Sequence, residues 1–345
     1  MIVARPGAGN AVTAASVVRL PLRTVERVTV SVPARLHLGF VDLNGDLGRR
    51  FGSVGIAIDK PHTRVVVERN ERTAIVGPDE ERAQRYLETL IRQFNLDRRL
   101  QLTVADVIPG HVGLGSGTQL GLATGAALSH FFGLGLDARV LGGLLERGAR
   151  SSIGIATFEG GGVVLDGGRG DRDEPPPVLS RLPFPEDWRV LLVYDHRRQG
   201  LYGSAEIEAF RGLPTFPSEQ AAHLCRMMLM VVLPALAEAD FKRFSAGVGE
   251  LQRVIGDHFR PVQGARFMSA AVAEVLAWLE SEGIVGVGQS SWGPTGFGLI
   301  NSEAAAAGLL AAARRRWPSP ASGLSFAVTL GRNRGADIEV VPAEA

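Results

Sequence analysis

The run Pro109-Gly110-His111-Val112-Gly113-Leu114-Gly115-Ser116-Gly117-Thr118-Gln119 is the segment of this chain best suited to chemistry. It follows an alternating apolar pattern at Leu100, Leu102 and Val104 and precedes a helical one carrying Leu120, Ala127, Leu128 and Phe131. A glycine loop between strand and helix offers free backbone N–H groups and the positive end of a helix dipole to an anion. Gly113, Gly115 and Gly117 allow the backbone to close on phosphate oxygens, with Gln119 beside them, and Ser116 or Thr118 can bring a hydroxyl to the anion or to a metal. A tight loop that only packs is the alternative. Neither common phosphate fingerprint is present. The Walker form needs Gly-Lys-Ser/Thr, and the only lysines are Lys60 and Lys242; the dinucleotide form needs glycine where Thr118 stands.

Other chemistries find less support. The seven histidines show no His-Glu-x-x-His spacing. Neither Ser116 nor Ser290 sits in Gly-x-Ser-x-Gly, so a hydrolase elbow is not indicated. A net charge of +1 argues against a general nucleic-acid binder. The lone Cys225 cannot form an intrachain disulfide, which leads us to expect a reducing, cytoplasmic setting. The apolar run Met227 to Ala237 is about half the ~20 residues of a membrane span and contains Pro234, so no membrane partner is expected; Met227, Met228 and Met230 read as helix core.

The elements that must position the loop follow from periodicity. Val28, Val30 and Val32 alternate as an opening strand, Thr63 to Arg69 reads as a second, and Ala83, Tyr86, Leu87, Leu90, Ile91 and Phe94 have helical spacing. Val140 to Leu145 reads as a helix and Gly160 to Leu165 as a strand. Gly167 to Pro185, centred on three prolines, reads as a linker and domain boundary. Beyond it come a strand from Arg189 to Tyr194, helices near Met228 and Val275, the strands Ile284 to Val287 and Phe297 to Ile300, an Ala-rich helix from Ser302, and closing strands near Phe326 and Ile338. The order implies an α+β protein: an extension over 1–24, one domain over 25–185 and a second over 186–345. Three glycine-rich stretches, 39–55, 113–117 and 286–298, are expected to be loops that meet in one cleft.

Three motifs carry a family resemblance. Pro109-x-x-x-Gly113-Leu114-Gly115-Ser116-Gly117 resembles the phosphate loop of the GHMP kinase superfamily, usually Pro-x-x-x-Gly-Leu-Gly-Ser-Ser-Ala. Val32-Pro33-Ala34-Arg35-Leu36-His37 resembles its first motif, and Gly288 to Gly296 stands where its third belongs. The resemblance runs from about residue 25 to the end. It implies two α+β domains, the second ferredoxin-like, with the active site in the cleft between them. One departure matters. The kinases carry an Asp as base on the accepting hydroxyl, and aligning Ser152 to Thr157 on Gly154 puts Ala156 in its place; an alanine cannot accept a proton.

Arg35 to Gly45, Gly288-Gln289-Ser290-Ser291-Trp292-Gly293-Pro294 and Arg197 to Gly203 resemble one branch of that superfamily, the β-ribofuranosylaminobenzene 5′-phosphate synthases. This implies condensation of phosphoribosyl diphosphate with 4-hydroxybenzoate or 4-aminobenzoate, releasing CO2 and diphosphate, in methanopterin biosynthesis. An ATP-dependent small-molecule kinase and a non-catalytic sugar-phosphate binder of the same fold are the other readings. The resemblance implies Mg2+, with Ser116 and Glu146 as metal candidates, Glu146 being otherwise a solvated helix residue. Arg35, Arg49, Arg150, Arg197 and Arg198 are candidates for the 5′-phosphate and the arene carboxylate, since a guanidinium fork matches both. His37 is a substrate contact or a structural strand histidine. Asp42 and Asn44 hold ribose or metal, or form a turn with Gly45. Ser290, Ser291 and Trp292 should face the cleft, Trp292 either stacking on the arene or serving as core. A homodimer is the default oligomer.

Overall fold

A computed structural model describes residues 25–172, 174–200 and 203–343. The extension expected over 1–24 lies outside them, as do Leu201 and Tyr202 of the Arg197–Gly203 motif. The chain opens with two 18-residue strands, β1 (Val25–Asp42) and β2 (Gly52–Arg69), paired antiparallel along almost their whole length. β3 (Ala74–Val76), α1 (Glu80–Phe94), β4 (Leu100–Asp106), α2 (Ser116–Phe131), α3 (Ala138–Leu144), α4 (Ile153–Gly160), β5 (Val163–Asp166) and β6 (Val178–Leu182) complete the first half. The second half contains β7 (Arg189–Asp195), α5 (Gly203–Gly212), α6 (Ser218–Met227), a π-helical turn at Met228–Val232, α7 (Leu233–Ala237), α8 (Phe241–Gln263), α9 (Ala270–Ser281), β8 (Val287–Gln289), β9 (Gly296–Ile300), α10 (Glu303–Arg316), β10 (Leu324–Thr329) and β11 (Asp337–Pro342).

Two sheets result. The first has the path β11-β1-β2-β4-β3, with β5 on β2 and β6 on β5. The second has the order β10-β7-β9-β8, all antiparallel. Numbered within the second half this is 4-1-3-2, the split βαβ pattern of a ferredoxin-like domain, as the resemblance implied. The last strand leaves that domain: β11 pairs with β1, so residues 337–342 belong to the first sheet. The expected linker also contributes, because its second half forms β6.

Alternation along the strands builds the cores. Val28, Val30 and Val32 of β1 pack with α1 and α2, whereas Leu36, Leu38 and Phe40 enter a larger core with Phe244, Val248 and Leu251 of α8. β7 sends Val190 and Leu192 into that larger core and Leu191 and Val193 against α9 and α10. Both halves therefore share one apolar interior. The run Ser218–Ala237 is long and apolar enough to cross a membrane by length and composition. Its inner side, including Leu224, Met228 and Val232, lies in the shared core, while Met230 is 65% exposed, contrary to its reading as core.

The glycine stretch 39–55 is not a cleft loop. Gly39 and Gly55 lie within β1 and β2, where a Cβ at Gly55 would stand 2.6 Å from Ile153 and one at Gly39 would touch Leu251 at 3.0 Å. These glycines admit neighbouring helices to the sheet.

Candidate active site

The glycine loop before α2 is held by the other two motifs. Arg35 N–H donates to Leu114 O at 3.1 Å, and Arg35 Nη1 to Gly113 O at 3.1 Å. The fully buried Ser290 hydroxyl accepts from His37 N–H at 3.0 Å and donates to Gly113 O at 2.7 Å. One side chain thus ties β1, the loop and the β8–β9 turn together. Close backbone approach does the rest. A Cβ at Gly113 (φ +88) would fall 2.2 Å from Ser290 O, one at Gly293 2.2 Å from Val112 C, and one at Gly200 2.5 Å from Trp292 O. No side chain fits between these segments, so the third glycine stretch reaches the site through Gly293.

A pocket of about 500 Å³ opens over the first turn of α2, lined there by Gly113, Gly115, Ser116, Gly117 and Thr118. Gly115 takes the left-handed conformation (φ +78) immediately before the helix, and the first turn holds no acidic residue. Its free N–H groups and dipole therefore face the pocket uncompensated. The walls add Arg35, Arg82, Arg85, Arg147 and His111; among the described residues Glu206 is the single carboxylate in the lining. Arg82 Nη1 donates to Ser116 Oγ at 3.3 Å and Nη2 lies 3.1 Å from His111 Nε2. Tyr86 hydroxyl donates to Gly117 O at 2.9 Å, and the Arg147 guanidinium stands 5.8 Å over the Tyr86 ring. Burial pushes Arg35 down to about 10, against the raising influence of Glu206 and Asp166. Such a pocket suits a compact polyanion.

Only part of the expected site converges. Ser116, Arg35, Gly113, Gly115, Gly117, Thr118 and Ser291 line the pocket. Gln119 does not: it is fully buried, and its Nε2 donates to Gly154 O at 2.8 Å, fixing α2 to α4. Trp292 borders the pocket but is 2% exposed and stacks on Phe259 at 4.3 Å, with Phe210 at 5.2 Å, so it is a core residue. Asp42 Oδ1 accepts from Asn44 and Gly45 N–H groups, and Asn44 Nδ2 donates to Phe216 O; both build the turn after β1. Arg49 donates to Gly167 O and Gly168 O at 2.7 and 2.6 Å. Arg197 pairs with Asp195 at 2.9 Å, Arg198 is exposed, and neither lines the pocket. Arg150 sits behind the wall, paired with Glu206 at 2.5 Å and 4.5 Å over Phe210. Glu146, at φ 55 past the end of α3, is exposed and outside the lining.

His37 is 2% exposed, outside the main pocket, with its Nε2 unpartnered. Burial, then the charges of Arg35 and Arg150, hold its pKa well below the ordinary value, so the ring is neutral. It borders a small cavity of about 20 Å³ with Phe40, Phe259 and Gln289. Ala156 is 1% exposed beside Ile153 and Val164, so no carboxylate stands at that point of α4. Sequence reasoning missed Arg82, Arg85 and Arg147. The signal available was i, i+3, i+4 spacing: Arg82, Arg85 and Tyr86 form one flank of α1.

Comparison with known proteins matches this arrangement. Residues 81–162 match the family described as GHMP kinases N terminal domain, and residues 232–319 that described as GHMP kinases C terminal. A protein named beta-ribofuranosylphenol 5′-phosphate synthase from Methanothermobacter thermautotrophicus is 30% identical over 334 residues, covering 90% of this chain and 98% of its own. Its namesake from Archaeoglobus fulgidus is 32% identical over 322 residues, covering 89% and 98%. Among solved structures, mevalonate diphosphate decarboxylase from Staphylococcus aureus superposes with TM-score 0.65 at 14% identity, covering 91% of this chain and 98% of its own.

Proposed function

This chain belongs to the β-ribofuranosylphenol 5′-phosphate synthase family within the GHMP kinase fold, a family of pentosyltransferases, and from that premise we propose that it joins phosphoribosyl diphosphate to a 4-substituted benzoate, releasing CO2 and diphosphate in methanopterin biosynthesis. The relatives are named for a phenol product, which favours 4-hydroxybenzoate over 4-aminobenzoate.

The observation that carries this reading is a strongly cationic pocket at a helix N-terminus; the sequence resemblance puts Ala156 at the kinase base position, and that alanine is buried outside the pocket lining. In the proposed reaction the ring carbon bearing the carboxylate attacks the anomeric carbon. The bond from that carbon to the diphosphate oxygen breaks, with its electron pair leaving on diphosphate. The carboxylate carbon then departs as CO2, and its bonding pair restores the aromatic ring. No proton is removed from the attacking carbon, so Ala156 lacks nothing the reaction needs. Charge instead develops on the leaving diphosphate, where the N–H groups of the Gly113–Thr118 turn and Arg35 stabilise it.

Mg2+ fits as an ion carried by the substrate. Among the described residues no three His, Cys, Asp or Glu side chains gather to hold a metal; the pocket is lined by Glu206, paired with Arg150 at 2.5 Å, and by the Ser116 hydroxyl, which accepts from Arg82 at 3.3 Å. Mg2+ is commonly bound through one or two carboxylates plus substrate phosphates. Glu206 and Ser116 would hold it, and the ion would supply positive charge to the departing diphosphate.

The test incubates the protein with Mg2+, phosphoribosyl diphosphate and carboxyl-labelled 4-hydroxybenzoate or 4-aminobenzoate. Labelled CO2 supports the reading, with the hydroxy compound preferred. ATP-dependent phosphorylation of an alcohol without CO2 would sink it.

A further inference from the structure

The phosphate loop departs from its family form at two residues: Gly117 stands where a serine is usual and Thr118 where an alanine is. A Cβ there would lie 3.6 Å from Arg147 Nη1, 3.6 Å from Tyr86 Oη and 3.7 Å from Arg82 Nη1. Three polar tips from two separate segments thus converge on the bare backbone of the first turn of α2. Gly117 has an ordinary helical φ, so the glycine is not there to relieve backbone strain.

The tips differ in how far they are committed. Tyr86 hydroxyl donates to Gly117 O, which fixes α1 to α2. Arg82 pairs with Asp79 at 3.2 Å but also donates to Ser116 Oγ, so it already faces the loop. Arg147 Nε donates to Leu145 O, and among the described residues the guanidinium makes no salt bridge within 4.0 Å. Arg85 lies exposed on the same flank of α1 and lines the pocket. Three guanidinium groups around a helix N-terminus, with Asp79 on Arg82 and Glu206 in the lining as the nearby acids, form a bidentate-capable anion clamp.

We propose that Arg82 and Arg147 clamp the diphosphate leaving group onto the first turn of α2, with Arg85 at the entrance, and that Gly117 keeps the clamp open. This deepens the proposed function by assigning one end of the sugar diphosphate: its diphosphate lies between α1 and α2, and its 5′-phosphate lies elsewhere in the pocket. Each guanidinium supplies charge-assisted hydrogen bonds to a group that gains negative charge as the glycosidic bond breaks.

The test measures binding of inorganic diphosphate with Mg2+, and separately of ribose 5-phosphate, by calorimetry on the full chain. Arg82→Gln and Arg147→Gln should each weaken diphosphate roughly tenfold to a hundredfold, from the size of hydrogen bonds to charged groups. Ribose 5-phosphate should change less than threefold. Gly117→Ala gives an independent arm: its methyl meets the three tips at ordinary contact distance and a helical alanine is favoured, so the thermal midpoint should hold or rise while diphosphate binding falls. Arg49→Gln, outside the pocket, is the control for general charge loss. Diphosphate affinity within twofold of wild type in both arginine variants, or loss confined to ribose 5-phosphate, overturns the clamp. Its failure is separable from failure of the proposed reaction, because calorimetry reads the clamp whether or not labelled CO2 is released.

Discussion

Ser290→Ala should loosen the whole site, because its hydroxyl is the one side-chain atom bonded to both other motifs. In the native protein it accepts from His37 N–H at 3.0 Å and donates to Gly113 O at 2.7 Å, in a position with no solvent exposure. Removing it strands the His37 N–H, and a buried donor left unmade costs about 1–3 kcal/mol. Gly113 O keeps its bond from Arg35 Nη1, so the second loss is nearer the ordinary net value of about 0.5–1.5 kcal/mol. The sum is about 1.5–4.5 kcal/mol, large against the stability of most domains. Urea unfolding of wild type, Ser290→Ala and Ser291→Ala measures it, since among the described residues Ser291 makes no side-chain hydrogen bond and should cost under about 0.5 kcal/mol. CO2 release should fall at least tenfold in Ser290→Ala, with KM for phosphoribosyl diphosphate raised, as the loop loses its tether. A cycle with Arg35→Gln should show coupling of about 0.5–3 kcal/mol, because both side chains serve Gly113 O. Equal stability of the two serine variants, or strict additivity with Arg35→Gln, would refute the reasoning.

His37 makes stability depend on pH. Its folded pKa lies below the unfolded value, so between the two only the unfolded chain takes the proton; the contribution is complete above about pH 6.5 and is lost as pH falls below it, by up to about 1.4 kcal/mol per unit. Urea titrations at pH 7.5 and 5.5 should show a smaller drop in His37→Asn than in wild type, and equal drops would exclude the buried neutral ring. Ala156→Asp should destabilise by about 3 kcal/mol or more, since the carboxyl would enter an apolar site beside Ile153 and Val164, and it should gain no kinase activity; a stable variant that phosphorylates an alcohol with ATP would contradict this. Glu206→Gln should raise the Mg2+ concentration needed for half-maximal CO2 release several-fold, whereas Glu146→Gln should stay within twofold; the reverse ranking would return the metal to Glu146.

Much of the molecule was legible in its sequence, for reasons that are local. The helix over Glu80–Phe94 buries Ala83, Tyr86, Leu87, Leu90, Ile91 and Phe94, the very set its period marks, because one helical face is enough to define it. The loop before α2 was legible because a strand, a glycine cluster and a helix stand next to each other in the chain, and its chemistry follows from backbone alone.

What tertiary structure decided was which distant side chains share the pocket. Arg35 and Arg197 both stand in family-like motifs, yet one touches the loop and the other pairs with Asp195. Arg82 and Arg147 carry no motif; Arg82 reaches Gly117 because α1 packs against α2, and Arg147 reaches it from the turn after α3. The sequence left Trp292 open between a platform for an arene and a core residue, and it is buried against Phe259. A guanidinium is the same chemical group at every position, and its role depends on what lies within about 3 Å of it. That distance is set by packing between segments tens to hundreds of residues apart, which composition and spacing do not encode.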